Sequence, residues 1–138
     1  MPAPDFVDTN VLVYAYDISD SQKQRIAQDL VRKALAGDTI MSIQVLAEFA
    51  ATLLHKISPA AKHEELLALL DALSSIKLVS SDGDVVRRAV EVRAKYGLHF
   101  YDGMIVAAAE HAGCGRIWSE DLNPGQEYFG ILVQNPFV

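Results

Sequence analysis

The sequence predicts an α/β domain in which a parallel sheet is covered by helices on both faces. Short apolar runs alternate along the chain with longer segments whose apolar residues recur at helical spacing. The runs are continuously apolar, as in strands that are buried on both faces. No repeat, low-complexity segment or linker interrupts the 138 residues, so a single domain is expected over 1–138.

The first elements are predicted from the N-terminus onward. Phe6-Val7 indicates a short strand that ends at Asp8, and a short helix is expected over 11–16. The segment 22–36 has apolar residues at helical spacing, and Gly37 follows it as a C-terminal cap would.

The second strand and two long helices come next. Residues 39–42 indicate a strand, and Ser42 is expected to cap a helix over 43–57. Ser58-Pro59 resembles a cap followed by a proline in the first helical turn. A third long helix is therefore expected to begin there and to run to about residue 74.

The rest of the chain continues the alternation. A strand over 76–79 precedes a helix from Asp82 to Tyr96, and 98–101 is expected to connect it to a helix that Asp102 opens. The last predicted elements are a strand over 116–119, a loop over 123–125 and a strand over 130–133.

Composition excludes several classes of protein. No apolar run approaches the length of a membrane span, and no basic segment followed by an apolar one marks a leader, so no membrane association and a cytoplasmic location are expected. Cys114 is the only cysteine, which rules out an internal disulfide and a cysteine-based zinc site. The four histidines have no ligand spacing, so any metal would need oxygen ligands.

The net charge of −6 argues against a broad electrostatic nucleic-acid binder, although it does not exclude an enzyme with an acidic pocket. Basic residues form two local groups on predicted helices. They are either solvated helix faces or contacts for a polyanion. The two groups are Lys23, Arg25, Arg32 and Lys33, and Arg87, Arg88, Arg93 and Lys95.

Four carboxylates lie at unusual places in this pattern. Asp8 and Asp121 each follow a predicted strand, and Asp102 stands at a helix entrance. Glu48 is the only charged residue between Thr39 and Leu54, in a helix that is otherwise largely apolar. Each has an ordinary alternative: a turn residue for Asp8 and Asp121, a helix cap for Asp102, and a solvent-facing stripe for Glu48.

Taken together, the four acids predict a metal site. The ends of strands one and four meet where the strand order of a parallel sheet reverses, and ligands bind at that edge. Carboxylates converging there would repel one another, and a divalent cation would remove the conflict. Oxygen ligands without histidine suit Mg²⁺ or Mn²⁺ rather than zinc. Such a site can activate a water against a phosphodiester, and Asn10 and Ser119 are expected at its rim.

The chain also resembles PIN-domain ribonucleases of the VapC toxin type, from bacterial type II toxin–antitoxin systems. The resemblance covers nearly the whole chain and rests on four short motifs in the right order and at the right spacing. Asn10 and Thr9 belong to the first motif, and Glu120 to the fourth. The motifs are Phe6-Val7-Asp8-Thr9-Asn10-Val11-Leu12, Ser42-Ile43-Gln44-Val45-Leu46-Ala47-Glu48-Phe49, Phe100-Tyr101-Asp102-Gly103-Met104-Ile105-Val106-Ala107-Ala108-Ala109 and Ser119-Glu120-Asp121-Leu122.

The resemblance implies a Rossmann-like α/β/α sandwich with a parallel sheet of about five strands. It implies a Mg²⁺- or Mn²⁺-dependent endoribonuclease, an RNA substrate, a homodimer and a cognate antitoxin that blocks the site. Asp8, Glu48 and Asp102 carry over as metal-binding catalytic acids. Asp121 carries over at a variable position, where Glu120 is an alternative. Gly103 stands where the family commonly has alanine, and only a small loss of helix propensity is expected there.

Two other functions stay open on the sequence. The chain is consistent with a PIN-fold interaction module without catalysis, which metal titration would distinguish. It is also consistent with an aspartate-based phosphoacceptor or phosphohydrolase domain, in which an acid follows the first strand. Such sites typically have a second acid near the first and a lysine after a later strand. Here Asn10 occupies the nearby position, and no lysine follows the fourth strand.

Overall fold

The computed structural model describes residues 2–138, and it confirms the predicted α/β/α architecture. A mostly parallel sheet runs through the centre and helices flank it. The strands are β1 (Asp5–Val7), β2 (Thr39–Ser42), β3 (Lys77–Val79), β4 (Arg116–Trp118), β5 (Glu127–Tyr128) and β6 (Ile131–Gln134). The helices are α1 (Thr9–Tyr16), α2 (Ser21–Lys33), α3 (Ile43–His55), α4 (His63–Ala72), α5 (Gly83–Tyr96) and α6 (Phe100–His111).

The strand order β3-β2-β1-β4-β6-β5 places the sequence-distant strands β1 and β4 side by side. Phe6 of β1 pairs in parallel with Ile117 of β4, and also with Ile40 of β2. From β1 the chain builds outward to β2 and β3, and it then returns to the other side of β1. The order therefore reverses between β1 and β4, which is where an open parallel sheet forms its ligand crevice.

The sheet has six strands, where about five were expected from the family resemblance. The additional strand is β5, which pairs antiparallel with β6 at the sheet edge. It has only two residues, too few for any periodicity to appear in the sequence. The side chain of Tyr128 is nevertheless fully buried, so this short strand closes one side of the core.

The prediction that Ser58-Pro59 opens a helix is wrong. Helix α4 begins at His63, after Lys62, and ends at Ala72. The preceding segment folds back over the end of α3, where the Ala61 amide donates to the Leu53 carbonyl at 2.9 Å. This contact buries Ala61 and satisfies its backbone outside any helix, which outweighs the local serine–proline signal.

The prediction that a helix begins at Asp102 is also wrong, by two residues. Helix α6 begins at Phe100, and His99 is its cap, with its ring accepting the Tyr101 amide. Asp102 therefore lies within the first turn and does not cap the helix. Its carboxylate is left available for another role beside the positive end of the α6 dipole.

Gly103 has a packing role that the sequence did not indicate. A methyl group at this position would lie 2.9 Å from the Ala89 carbonyl oxygen of α5, because the two helices approach closely here. The backbone oxygen cannot move as a flexible side chain can. Glycine is therefore required by the contact between α5 and α6, next to Asp102.

Gly103→Ala is expected to destabilise the protein by about 1 kcal/mol, although alanine is the better helix former. The overpacking cost exceeds the gain in propensity. The matched control is Gly83→Ala, also in a helix, where an added methyl group meets nothing within 4 Å. Urea denaturation of both variants is the measurement, and a Gly103→Ala protein as stable as Gly83→Ala would contradict this assignment.

None of the helices within residues 2–138 is long and apolar enough to cross a membrane.

Candidate active site

Asp8 lies at the centre of the crevice between β1 and β4. It directly follows β1, and its amide donates to the Trp118 carbonyl at 3.0 Å, which continues the β1–β4 ladder. One carboxylate oxygen, Oδ1, caps α1 by accepting the Thr9 amide at 2.7 Å. The end of the strand and the beginning of the helix thus fix this carboxylate, as the sequence predicted for a strand-end acid.

The other Asp8 oxygen faces the end of β4. It accepts a hydrogen bond from the Ser119 hydroxyl at 2.7 Å and a longer one from the Asn10 amide at 3.4 Å. Ser119 is fully buried, and its hydroxyl oxygen also accepts the amides of Asp121 and Leu122. Ser119 therefore fixes both the carboxylate of Asp8 and the loop that carries Asp121.

Asn10 joins two of the predicted acids. Its side-chain nitrogen donates to Asp121 at 3.2 Å as well as to Asp8, and its oxygen accepts the Glu120 amide at 3.1 Å. An amide that donates to two carboxylates reduces their mutual repulsion without neutralising them. The structure thus places Asn10 and Ser119 in contact with Asp8, and Asn10 also in contact with Asp121.

Glu48 reaches the same crevice from α3. It accepts hydrogen bonds from the Thr9 hydroxyl at 3.3 Å and from the Gln44 side-chain amide at 2.7 Å. Gln44 also donates to the Tyr101 carbonyl at 3.0 Å, immediately before Asp102. The polar stripe of α3 therefore contacts the residues around the other acids, while Glu48 itself stays exposed to solvent.

Asp102 is half-buried and feels the charges of the other acids. Burial raises the pKa of Asp102, the adjacent His99 ring opposes this, and Asp121 and Glu48 add to the increase. Asp121 and Glu48 therefore lie close enough to act on the charge of Asp102, although the three come from separate parts of the chain.

Asp8 carries the strongest perturbation among the acids. Burial is the main cause that raises the pKa of Asp8 to about 6, and the charges of Asp121 and Glu48 raise it further. Hydrogen bonds from Ser119 and Thr9 act in the opposite direction. A buried, partly compensated carboxylate among other acids is a common feature of functional sites.

Glu120 is paired with residues of α1 and α2. Its carboxylate forms an ion pair with Lys23 at 2.5 Å and accepts the Tyr14 hydroxyl at 2.8 Å. These contacts neutralise its charge and tie it to α1 and α2. Asp121, which bonds to Asn10, is therefore the better candidate for the fourth acid.

The donor set fits a partly hydrated oxygen-seeking cation. Asp8, Glu48, Asp102 and Asp121 offer only oxygen atoms, and burial, followed by neighbouring carboxylates, raises the pKa values of Asp8 and Asp102. Within residues 2–138 no three His, Cys, Asp or Glu side chains are grouped so that they could hold a metal ion by themselves. A cation bound by one or two of these carboxylates would therefore take its remaining ligands from water.

Two of the four acids, Glu48 and Asp121, line a cleft of about 340 Å³ together with Thr9 and Asn10. Glu120 and Tyr14 lie along the same wall. A second cleft, of about 260 Å³, is mainly apolar and contains no carboxylate. Hydrolytic chemistry is therefore expected only in the first of these two clefts.

The roles of three residues that shape the site were not predicted. Lys23 was expected only as part of a basic group, Tyr14 only as part of a helix, and Gln44 only as a member of the second motif and of the polar stripe beside Glu48. Their roles depend on contacts between distant segments, such as Lys23 with Glu120 across 97 positions. No periodicity or local motif carries that information.

Several solved structures resemble the chain over most of its length. A toxin–antitoxin complex from Klebsiella pneumoniae is 20% identical with a TM-score of 0.71, covering 96% of this chain and 97% of that one. A DNA-bound VapBC from Salmonella typhimurium is 16% identical with a TM-score of 0.70, covering 97% and 98%. VapC20 from Mycobacterium tuberculosis, a toxin that cleaves the sarcin–ricin loop, is 20% identical with a TM-score of 0.65, covering 86% and 91%. At these identities the likeness establishes the fold.

A comparison with curated protein sequences finds no significant match. The model of the PIN domain family, in contrast, matches residues 6–125, which include all four acids and the whole β1–β4 crevice. The chain therefore belongs to the PIN domain family.

Proposed function

We propose that this protein is a Mg²⁺- or Mn²⁺-dependent endoribonuclease and the toxin of a type II toxin–antitoxin system. One observation carries the proposal. Four carboxylates from distant parts of the chain, Asp8, Glu48, Asp102 and Asp121, share one electrostatic environment at the β1–β4 crevice. Such a concentration of charge has no structural purpose that neutral residues would not serve better.

The proposed chemistry is hydrolysis of a phosphodiester by water. A bound Mg²⁺ or Mn²⁺ would offset phosphate charge and lower the pKa of water. Asp8, Asp102 and Asp121 would hold the cation, with Glu48 contributing directly or through water. Asn10 and Ser119 orient Asp8 through their hydrogen bonds, and Thr9 orients Glu48. Glu48 or Asp121 would accept the proton of the attacking water.

Structural neighbours support the biological setting. The Klebsiella pneumoniae structure is a toxin–antitoxin complex, and VapC20 is a toxin that cleaves an RNA loop. By analogy, we propose an RNA substrate, a cognate antitoxin that blocks the acidic cleft, and a homodimer. Fold similarity alone does not determine function, so each of these needs its own test.

The basic helices contribute less to RNA binding than the sequence suggested. Lys23 pairs with Glu120, Arg32 with Asp29, and Arg88 with Glu91 and Glu110. A basic side chain that is already paired within the protein gains less binding free energy from a phosphate than an unpaired basic side chain does. Recognition by these helices is therefore expected to rest on the remaining basic residues.

A phosphoacceptor function is disfavoured by the surroundings of Asp8. Its carboxylate is buried and accepts hydrogen bonds from Thr9, Ser119 and Asn10. Within residues 2–138 no lysine hydrogen-bonds to it, and Lys23 is bound to Glu120 and Tyr14 instead. The lysine that such phosphoacceptor sites typically use is therefore not in contact with Asp8.

The test of the proposal is incubation of the purified protein with RNA in the presence of Mg²⁺ or Mn²⁺, followed by mapping of the new ends. We expect cleavage that EDTA abolishes and that added divalent metal restores. Intact RNA in both metals, with a folded wild-type protein, would refute the proposal. Co-expression with the product of the adjacent gene then tests for an antitoxin.

The assignment of the fourth acid gives a separate prediction. Asp121→Asn is expected to reduce cleavage by at least about 10-fold, because Asp121 lies among the other acids. Glu120→Gln, the matched neighbour, is expected to change cleavage by no more than about 3-fold, because Lys23 already neutralises Glu120. Initial cleavage rates decide between them, and the reverse order of effects would assign the role to Glu120.

A further inference from the structure

An exposed aromatic surface lies next to Asp102 at the beginning of α6. Tyr101 is 58% exposed although it is a large aromatic side chain at the beginning of α6. The exposed ring of His99 lies beside it, with ring centres 5.9 Å apart and planes inclined by 28°. The two nearly parallel rings, Tyr101 and His99, are called the aromatic platform below.

The aromatic platform is held in place by a neighbouring ring and by a hydrogen bond to the backbone. The Phe100 ring, which packs against the core, meets Tyr101 edge to face at 5.2 Å. The ring nitrogen Nδ1 of His99 accepts the Tyr101 amide at 3.3 Å. A surface ring fixed in this way loses little conformational freedom when a ligand stacks on it.

The platform is also tied to the acids. The Tyr101 carbonyl accepts the same Gln44 amide that donates to Glu48. The His99 ring acts on the charge of Asp102, the residue that follows Tyr101. A ligand lying on Tyr101 therefore lies beside the carboxylates that the proposed reaction uses.

The charge distribution explains why such a surface is useful. The cleft is acidic and the chain carries a net charge of −6, so phosphates gain little long-range attraction. Flat aromatic rings bind nucleobases through their π faces and need no positive charge for it. Unpaired RNA bases can turn out and stack in this way, whereas paired bases cannot.

We propose that the aromatic platform of Tyr101 and His99 is a subsite that stacks one unpaired RNA base next to the scissile phosphate. The proposal rests on the ribonuclease function proposed above and specifies its substrate as an unpaired segment. It makes Tyr101 a residue that determines substrate specificity, with Phe100 as its support.

The direct probe is a single-stranded RNA oligonucleotide containing 2-aminopurine, whose fluorescence is quenched when the base stacks. Titration is done in EDTA so that the strand stays intact. Wild type and Tyr101→Phe are expected to quench the probe. Tyr101→Leu is expected to bind it about 5- to 150-fold more weakly, the range that stacking of one base provides. Leu67→Ala, at an exposed apolar residue of α4, is the control and is expected to behave as wild type.

The outcomes separate this proposal from the ribonuclease proposal. RNA cleavage in Mg²⁺ with no quenching by the wild type would refute the platform alone. Quenching that depends on Tyr101 without cleavage in either metal would refute the nuclease alone. Equal weakening of duplex RNA binding by Tyr101→Leu would also contradict base stacking. A changed oligomeric mass of Tyr101→Leu with unchanged RNA binding would assign the ring to a protein interface and overturn the proposal.

Discussion

Replacing Asp8 by asparagine is expected to reduce RNA cleavage by at least about 100-fold while leaving the fold intact. Asparagine has nearly the same shape and keeps one oxygen to cap α1, where Asp8 accepts the Thr9 amide. It cannot supply the negative charge that a divalent cation requires. Cleavage rates measured with Mg²⁺ test the prediction, and a fully active Asp8→Asn protein would refute the proposed site.

The stability of Asp8→Asn should distinguish a functional charge from a structural one. The pKa of Asp8 is raised from 3.8 to about 6 in the folded protein, so its ionisation opposes folding. This loss of folding free energy is absent below about pH 4, grows as the pH rises, and reaches its full size above about pH 6. Its full size is about 3 kcal/mol, partly offset because asparagine loses some hydrogen bonding to Ser119.

Metal-free Asp8→Asn is therefore expected to be as stable as wild type or up to about 2 kcal/mol more stable at pH 7.5, and to lose this advantage below pH 4. Urea denaturation in EDTA at several pH values is the measurement. A variant that is clearly less stable at pH 7.5 would show that the charge of Asp8 stabilises the fold.

Ser119→Ala is expected to have the largest effect on stability, about 3 kcal/mol. The Ser119 hydroxyl donates to Asp8 and accepts the amides of Asp121 and Leu122. Alanine would remove this partner from the amides of Asp121 and Leu122 and leave Asp8 Oδ2 with only the longer bond from Asn10, at a fully buried position. The melting temperature should fall by about 10 °C, and cleavage should fall with it because Asp8 loses its orientation.

The control for this substitution is Ser80→Ala, at an exposed serine that follows β3. It is expected to leave both melting temperature and cleavage unchanged. Calorimetry or thermal denaturation monitored by circular dichroism gives the comparison. If Ser119→Ala melts at the same temperature as Ser80→Ala, the hydrogen bonds of Ser119 do not stabilise the β4 loop as described.

The sequence predicted the layers of the fold because its strands and helices differ clearly in period and length. The continuous apolar runs of β1, β2 and β4 could only be buried strands, and the helical spacing of α2, α3 and α5 was unambiguous. Boundaries were less predictable where tertiary contacts overrode local signals. Ala61 binding to Leu53 displaced the expected helix start at Ser58-Pro59, and His99 took the capping position expected of Asp102.

The acids could be predicted individually because each lies at an element end or interrupts an apolar helix. Their supporting contacts could not, because these join residues that are far apart in sequence. The ion pair of Lys23 with Glu120, which separates Glu120 from Asp121, is of this kind. So is the close approach of Gly103 to Ala89, which depends on how tightly α5 and α6 pack.

Calorimetric titration of Mn²⁺ into the purified protein shows whether the four acids form one metal-binding site. Wild type and Glu120→Gln are expected to give saturable heats of binding, and Asp8→Asn and Asp102→Asn are expected to lose them. Absence of binding to the folded wild type, or equal binding to Asp8→Asn, would mean that these acids do not form a metal site.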